Sequence, residues 1–415
     1  MPRRPAVLIL VGVAVLALAG ACPPRAGVPT GAGPAEGVIR GAGAPGAVPD
    51  AYIVVLAAGR ASVDAAAAAY AARFGGEVTG TFSDAVRGFT VRVNAPAARR
   101  LAAAPGVSYV EQDRTVSLAA EPVEPVWGLD RIDQRELPLS GPYVRPSGAG
   151  VTAYVLDTGV RVSHREFGGR ARYGYDFVDN DSVASDCNGH GTHVAATVGG
   201  ATFGVVRDVK IVGVRVLNCS GTATYSQIIA GVNWVTRHAV KPAVANMSLG
   251  GSGSSALDTA VRNSIASGVT YVVAAGNIRT DACTISPARV SAAITVGATD
   301  RNDARAGFSN FGPCLDLFAP GVEILSAYRT SDRAAAWMSG TSMAAPHVTG
   351  AAALYLARRP DASPAQVRDA MVSAATRDLV ADARRGSPNA LLHTVPLTTI
   401  APSVARVAGK TRTTR

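Results

Sequence analysis

From about residue 120 to 392, apolar side chains follow two alternating rhythms along the chain. Near-continuous runs rich in Val, Ile and Ala, at 151–156, 210–217, 243–249, 270–275 and 293–299, predict strands buried on both faces, as in a parallel sheet covered by helices. Between or after them, apolar positions spaced three or four apart predict helices at 190–198, 225–238, 255–266, 342–358 and 364–375. This succession specifies an α/β domain of three layers, over residues 120–393, around a parallel sheet. Right-handed crossovers bring the carboxyl ends of these strands to one edge, where open α/β sheets bind ligands. Asp157 and Asn277 each fall just past such a strand end.

A shorter region, residues 50–118, carries a different order. It reads as a strand (51–56), an Ala-rich helix (63–74), strands at 78–82 and 88–93, a second helix (96–103) and a final strand (107–116). Pro96 suits a helix start, where its missing N–H costs nothing. The β-α-β-β-α-β sequence gives a small α+β, ferredoxin-like sandwich. Residues 22–49 are mostly Gly, Ala and Pro without periodicity, the pattern of a flexible tether. Their Gly41-Ala42-Gly43-Ala44-Pro45-Gly46 run matches G-x-G-x-x-G formally, but with no strand before it and a Pro inside it reflects composition and not a nucleotide loop. Residues 1–21 have Arg3 and Arg4, an apolar run and a small-residue end, as in an export signal; the run is shorter than the ~20 residues a bilayer core requires. Residues 394–415 read as a loose tail or a removable extension.

Composition narrows the classes. With 415 residues, 48% hydrophobic and 17% charged, the chain can bury a large core and is not disordered as a whole. Its net charge of +10 comes from scattered Arg, with Lys scarce and no basic run interleaved with aromatics, so no nucleic-acid partner is expected. Five cysteines are present. Cys22 follows the small residues of the signal, but Ala19 stands where a lipoprotein signal expects Leu, and membrane attachment follows only if Cys22 is lipidated. Cys187, Cys219, Cys283 and Cys314 are even in number, with no C-x-x-C spacing for zinc, and fit bridges formed outside the cell. Four cysteines allow three pairings; the sequential one would contribute about 3 to 4 kcal/mol per bridge on the chain-entropy argument.

Three separated motifs carry candidate chemistry: Asp157-Thr158-Gly159, His190-Gly191-Thr192-His193, and Gly340-Thr341-Ser342-Met343-Ala344-Ala345-Pro346-His347. A serine hydroxyl is a weak nucleophile, so attack on a carbonyl needs an imidazole to take its proton and a buried carboxylate to orient that imidazole. Ser342, His190 and Asp157 supply the three groups. Ser342 also opens a predicted helix, whose dipole favours negative charge near it. Each residue alone has a plainer reading: a Ser at a helix start is usually an N-cap, and an Asp after a strand usually begins a turn. His190 and His193 also form an H-x-x-H pair, yet no third metal ligand is evident. Asn277, after Ala274-Ala275-Gly276, offers an amide donor for an oxyanion, where Asn after Gly is otherwise a turn residue.

The order Asp, His, Ser is that of subtilisin. Trp127-Gly128-Leu129-Asp130-Arg131-Ile132-Asp133-Gln134, Tyr154-Val155-Leu156-Asp157-Thr158-Gly159-Val160, Cys187-Asn188-Gly189-His190-Gly191-Thr192-His193-Val194-Ala195 and Gly340-Thr341-Ser342-Met343-Ala344 closely resemble the subtilisin superfamily, within it the proteinase K and aqualysin-like branch. Sedolisins share the fold but would need Glu as base and Asp at the oxyanion, and this chain has neither. The resemblance implies a secreted, monomeric serine endopeptidase acting on proteins and peptides, with His190 and not His193 as base. Residues 50–118 would be an inhibitory propeptide that chaperones folding, leaves its last strand in the active site and is released near Ala119-Ala120. Thr222-Ala223-Thr224 and Ser248-Leu249-Gly250 would be edge strands flanking an extended substrate. The primary pocket, walled by 274–276 including Gly276 and by the 248–253 loop, shows no charge and implies an apolar or aromatic preference. The resemblance pairs Cys187 with Cys219 and Cys283 with Cys314. It also implies structural Ca²⁺ at Asp130, Asp133 and Gln134, and at Asp300 with backbone carbonyls near Pro287 and Arg289. Gly141-Pro142 departs from the more polar segment of the first site. Rival expectations are a propeptide-locked or inactive subtilase used as a binding module, and an esterase, for which no apolar lid segment is found.

Overall fold

The computed structural model describes residues 35–400 apart from 45, 60, 118–126 and 142. The export signal, Cys22, most of the tether, the release point near Ala119-Ala120 and residues 401–415 of the tail lie outside the described residues.

The N-terminal region folds as β1 (Ala47–Leu56), α1 (Val63–Phe74), β2 (Glu77–Phe82), β3 (Gly88–Arg92), α2 (Ala95–Ala102) and β4 (Val107–Ser117). The antiparallel sheet runs β4-β1-β3-β2, the ferredoxin-like order. Ser62 and Asn94 cap the two helices by accepting N–H groups of Ala65 and Ala97, and Pro96 lies in the first turn of α2. Tyr52, Val54, Phe89, Val91, Leu101 and Val110 fill the layer between sheet and helices. The end of the tether differs from its composition. Ile39–Arg40 pairs in parallel with Val110 and Glu111, and β1 begins at Ala47, before the strand read from sequence. Gly41 and Gly43 adopt φ of 64° and 68°, which turns the chain tightly enough for the Gly43 N–H to reach Gln112 Oε1 at 2.9 Å.

The larger region holds β5 (Thr152–Asp157), β6 (Ala171–Asp176), α3 (His190–Gly199), β7 (Lys210–Arg215), β8 (Thr222–Thr224), α4 (Tyr225–His238), β9 (Ala243–Met247), α5 (Ser255–Ala266), β10 (Thr270–Ala274), β11 (Ile294–Thr299), β12 (Leu317–Pro320), α6 (Thr341–Arg358), α7 (Pro364–Ala374), β13 (Thr376–Arg377) and β14 (Ala390–Leu391). Its main sheet has the order β13-β14-β12-β11-β10-β9-β5-β7-β6, parallel throughout except for β13 against β14. β5, β9, β10, β11 and β12 are buried at every position, which is why their sequences run apolar without alternation. On one face Val194, Ala195 and Val198 of α3 meet Met343, Ala344 and Val348 of α6. On the other, Ile228 and Val232 of α4 pack with Leu257 and Val261 of α5. Sequence periodicity missed β6, whose ARYGYD is half-buried and polar, and the four-residue β12. No described helix is long and apolar enough to cross a membrane.

The two regions are joined through β4. Thr115, Val116 and Ser117 pair antiparallel with Thr224, Ala223 and Thr222 of β8. Upstream, Glu111 Oε2 accepts the Ala256 N–H at 3.0 Å in the first turn of α5, and Asp113 accepts the Ser226 N–H at 3.2 Å in the first turn of α4. Phe82, Ala85 and Val86 bury against the same two helices, and Asn233 of α4 accepts the N–H groups of Asp84 and Ala85. A carboxylate at a helix start satisfies donors that the helix leaves over and meets the positive end of its dipole.

Candidate active site

The carboxyl edge of the sheet gathers the motif residues. Asp157 ends β5, fully buried, and its Oδ1 stands 2.7 Å from His190 Nδ1 while also accepting the Thr158 N–H at 2.8 Å. A carboxylate can only accept, so Nδ1 carries the proton, which leaves Nε2 as the nitrogen that can act as a base. His190 opens α3 directly after Gly189, whose φ of 115° and contact with the Tyr328 ring leave no room for a side chain. Among the described residues His190 Nε2 has no hydrogen-bond partner. His193 points elsewhere: its Nε2 lies 2.9 Å from the Ile324 carbonyl, and burial pushes its pKa down to about 3.

Ser342 is the second residue of α6. Its hydroxyl donates to the Ser248 carbonyl at 3.1 Å and its own carbonyl accepts the Ser248 hydroxyl at 2.7 Å. Asn277 follows Gly276, which turns at φ 102° with no space for a Cβ against Asn310. Asn277 Oδ1 accepts both the N–H and the hydroxyl of Thr341 at 2.8 Å. Those two bonds fix the acceptor end of the amide, so Nδ2 is the donor end. Ser342 and Asn277 share a cleft of about 380 Å³ with Ser248, Leu249, Gly250, Ala274, Gly276, Ile285 and Asn310, and with Gly46 and Thr115 of the N-terminal region. Among the described residues no charged side chain lines it.

Residues 148–393 match the Subtilase family. An extracellular serine proteinase of Thermus sp. (strain Rt41A) is 49% identical over 413 residues, covering 94% of this chain and 99% of that protein. The chain belongs to the subtilase family of serine proteinases. Alkaline serine exoprotease A of Vibrio alginolyticus is 52% identical over 77% of this chain and 60% of its own length. The crystal structure of a cold adapted subtilisin-like serine proteinase superposes with a TM-score of 0.64 at 56% identity, covering 65% of this chain and 98% of that one.

Two disulfides brace the site of this subtilase. Cys187–Cys219 ties the loop before His190 to the loop before β8, and Cys283–Cys314 ties the segment after Asn277 to the turn before β12. Asp186, which the sequence did not single out, links the segments that carry Asp157 and His190. Its Oδ1 accepts the Thr158 hydroxyl and the N–H groups of Asn188 and Gly189, and its Oδ2 accepts the N–H and hydroxyl of Thr192. An Asp four residues before His190 and followed by Cys-Asn-Gly reads only as a turn residue in sequence.

The residues assigned to calcium do not stand alike. Asp130 lies in the short helix Gly128–Arg131 and Asp133 in the turn that follows it, and burial together with the neighbouring Asp130 charge raises the Asp133 pKa, an acidic pair that a hard cation would relieve. Gln134 is engaged within the loop, with its Oε1 on the Ser140 N–H and its amide on the Glu136 and Pro138 carbonyls. Asp300 uses its carboxylate on the N–H groups of Asn302 and Ala304, closing its own turn. The carboxylate beside the 287–289 loop is instead Asp316, joined to it through Thr295, which bonds both Asp316 and the Ala288 carbonyl; Asp316 is ion-paired with Arg368. Among the described residues no three His, Cys, Asp or Glu side chains cluster as a metal site.

Proposed function

We propose that this subtilase is a secreted serine endopeptidase of the proteinase K and aqualysin-like kind, made as a zymogen that cleaves itself. The observation that carries this reading is the strand Thr115–Ser117, which lies antiparallel on β8 beside Ser342 and Asn277 as an extended substrate would. A substrate bound in that way lays its scissile carbonyl over Ser342. The Ser342 hydroxyl turns from the Ser248 carbonyl to His190 Nε2, which takes the proton as Oγ attacks. Asp157 holds the imidazole through Nδ1–H and stabilises the cation that forms. Asn277 Nδ2 and the Ser342 N–H receive the oxyanion. His190 returns the proton to the leaving amine, and water repeats the steps to release the acyl group.

Leu249, Ala274 and Ile285 give the primary pocket an apolar wall, which supports a preference for apolar and aromatic side chains. Residues 1–21 and the extracellular relative support export. Asp130 and Asp133 would hold a structural Ca²⁺, which lends charge neutralisation to the loop and takes no part in peptide chemistry. Chelation is expected to lower the thermal midpoint, and Asp133→Asn is expected to make that midpoint insensitive to chelator; an unchanged midpoint in the wild type sinks this assignment.

The function is tested by incubating the secreted protein with a fluorophosphonate probe and casein and comparing Ser342→Ala by intact mass. Labelling and cleavage by the wild type alone, with the N-terminal region still covalently attached in the variant, are the expected results. The N-terminal strand already covers the cleft, which favours a locked binding module as the second reading; a folded wild type that neither labels nor cleaves would establish it.

A further inference from the structure

Pro346 lies inside α6, four residues after Ser342. In an α-helix the N–H at that position closes the bond to the Ser342 carbonyl, and proline has none. The nucleophile therefore begins its helix with a carbonyl that the helix cannot satisfy. The Ser248 hydroxyl supplies the donor, at 2.7 Å. Asn246 Nδ2 donates to the Ser248 hydroxyl at 2.8 Å, and the Thr349 hydroxyl, back on α6 beyond Pro346, shares its proton between Asn246 Oδ1 at 2.8 Å and the Ala345 carbonyl at 3.0 Å. Asn246, Ser248 and Thr349 are wholly buried. The chain of bonds leaves α6 at Thr349, crosses the end of β9 and returns to α6 at Ser342.

We propose that the side chains of Thr349, Asn246 and Ser248 form a positioning relay for the nucleophile, replacing the helical hydrogen bond that Pro346 removes. The inference rests on the serine-proteinase reading above and goes beyond it, because none of the three side chains takes part in the proton transfer or the oxyanion hole. Ser248 grips Ser342 at both ends, its hydroxyl on the carbonyl and its carbonyl under the Ser342 hydroxyl at 3.1 Å. The first grip fixes the backbone of Ser342 and hence the direction of its Cα–Cβ bond. The second sets where the hydroxyl rests before attack. Loss of the first leaves a buried acceptor unpaired and frees the nucleophile to shift by a fraction of an ångström, which is enough to slow a reaction that depends on near-attack geometry.

The test is a rescue, not a single deletion. In the full-length chain, Ser248→Ala is expected to lower kcat of the matured enzyme, and the rate of self-release, by about 10- to 100-fold with KM changed less than about threefold. Ser248→Thr, which keeps a hydroxyl, is expected to retain most of the rate. Pro346→Ala restores an N–H at the position that bonds the Ser342 carbonyl, so Ser248→Ala with Pro346→Ala should recover at least about tenfold over Ser248→Ala alone. The pH profile of kcat/KM should keep its midpoint in all of these, since the Asp157–His190 pair is untouched. A Ser248→Ala rate within twofold of wild type, or a double variant no faster than the single one, overturns the relay while leaving the proteinase reading intact. If Ser248→Ala accumulates too little folded protein to assay, the double variant against Pro346→Ala alone decides: with the helical N–H restored, removing the Ser248 hydroxyl should cost less than about threefold, and a loss of about tenfold or more refutes the relay. Absence of activity in the wild type would sink the proteinase reading instead.

Discussion

Asp186 gathers five donors into one buried carboxylate, and they come from both sides of the Asp157–His190 contact. Thr158, held by Asp186, also accepts the Gly191 N–H at 2.9 Å, so the end of β5 and the start of α3 are stitched twice. Asp186→Ala strands several buried donors and is expected to cost at least about 3 kcal/mol in urea unfolding, while Asp186→Asn, which keeps one acceptor, costs less. Asn277→Ala is expected to lower kcat by about 10² to 10³ with little change in KM; that magnitude is known from a subtilisin and carried over to this chain. At this scale the sequence announced residues whose chemistry is unusual for their motif. Asp157, His190, Ser342 and Asn277 could be singled out as candidates because their motifs stand in one chain in a fixed order. Asp186 and the Ser248 hydroxyl were not, because a supporting residue is defined by what it touches across the fold and its own neighbours in sequence look like an ordinary turn.

Helix starts organise the contact between the two regions. α4 and α5 already have local caps, Thr224 and Ser254, each accepting the N–H three residues on. Glu111 and Asp113 add a second acceptor to each helix from the N-terminal region, and burial pushes the Asp113 carboxyl above its ordinary pKa. On the zymogen reading, in which the separated N-terminal region inhibits in trans, replacing both by Ala should weaken that inhibition by about 10- to 100-fold, from roughly 1 to 3 kcal/mol of lost capping and dipole interaction. An unchanged inhibition constant would mean that β4 pairing alone carries the affinity. Most helices and the buried strands were legible from periodicity, with ends displaced by a residue or two. The edge strand β6 was not, because every position before Asp176 is exposed or only half-buried, so Arg172 on one face and Tyr173 on the other interrupt the apolar run. The order in residues 35–49 was also hidden, since Gly, Ala and Pro form the same composition in a tight turn as in a loose tether.

For the molecule as a whole, acid is the exposed flank. Burial pushes the pKa of His193 down to about 3 and that of His347 down to about 4. Both are therefore neutral in the folded protein, whereas in the unfolded chain they take up protons below about pH 6.5. The stability that these two rings contribute is full above that pH and falls as the medium becomes more acidic, by about 1.4 kcal/mol per histidine for each pH unit down to the folded value. Urea midpoints should accordingly drop between pH 7 and pH 5, and a flat profile would mean that the buried carboxyls whose pKa is raised, such as Asp113, offset the two rings. The antiparallel contact of Thr115–Ser117 with β8 has a further consequence at this scale. While the chain is continuous, the strand meets β8 at an effective concentration set by its tether, on the order of millimolar or more, and does so at any dilution. Once the backbone is cut, the same contact becomes bimolecular, and its occupancy falls as the protein disperses. On the zymogen reading proposed above, latency would then be governed by crowding: the proteinase would be silent where it is concentrated and unmasked as it is diluted.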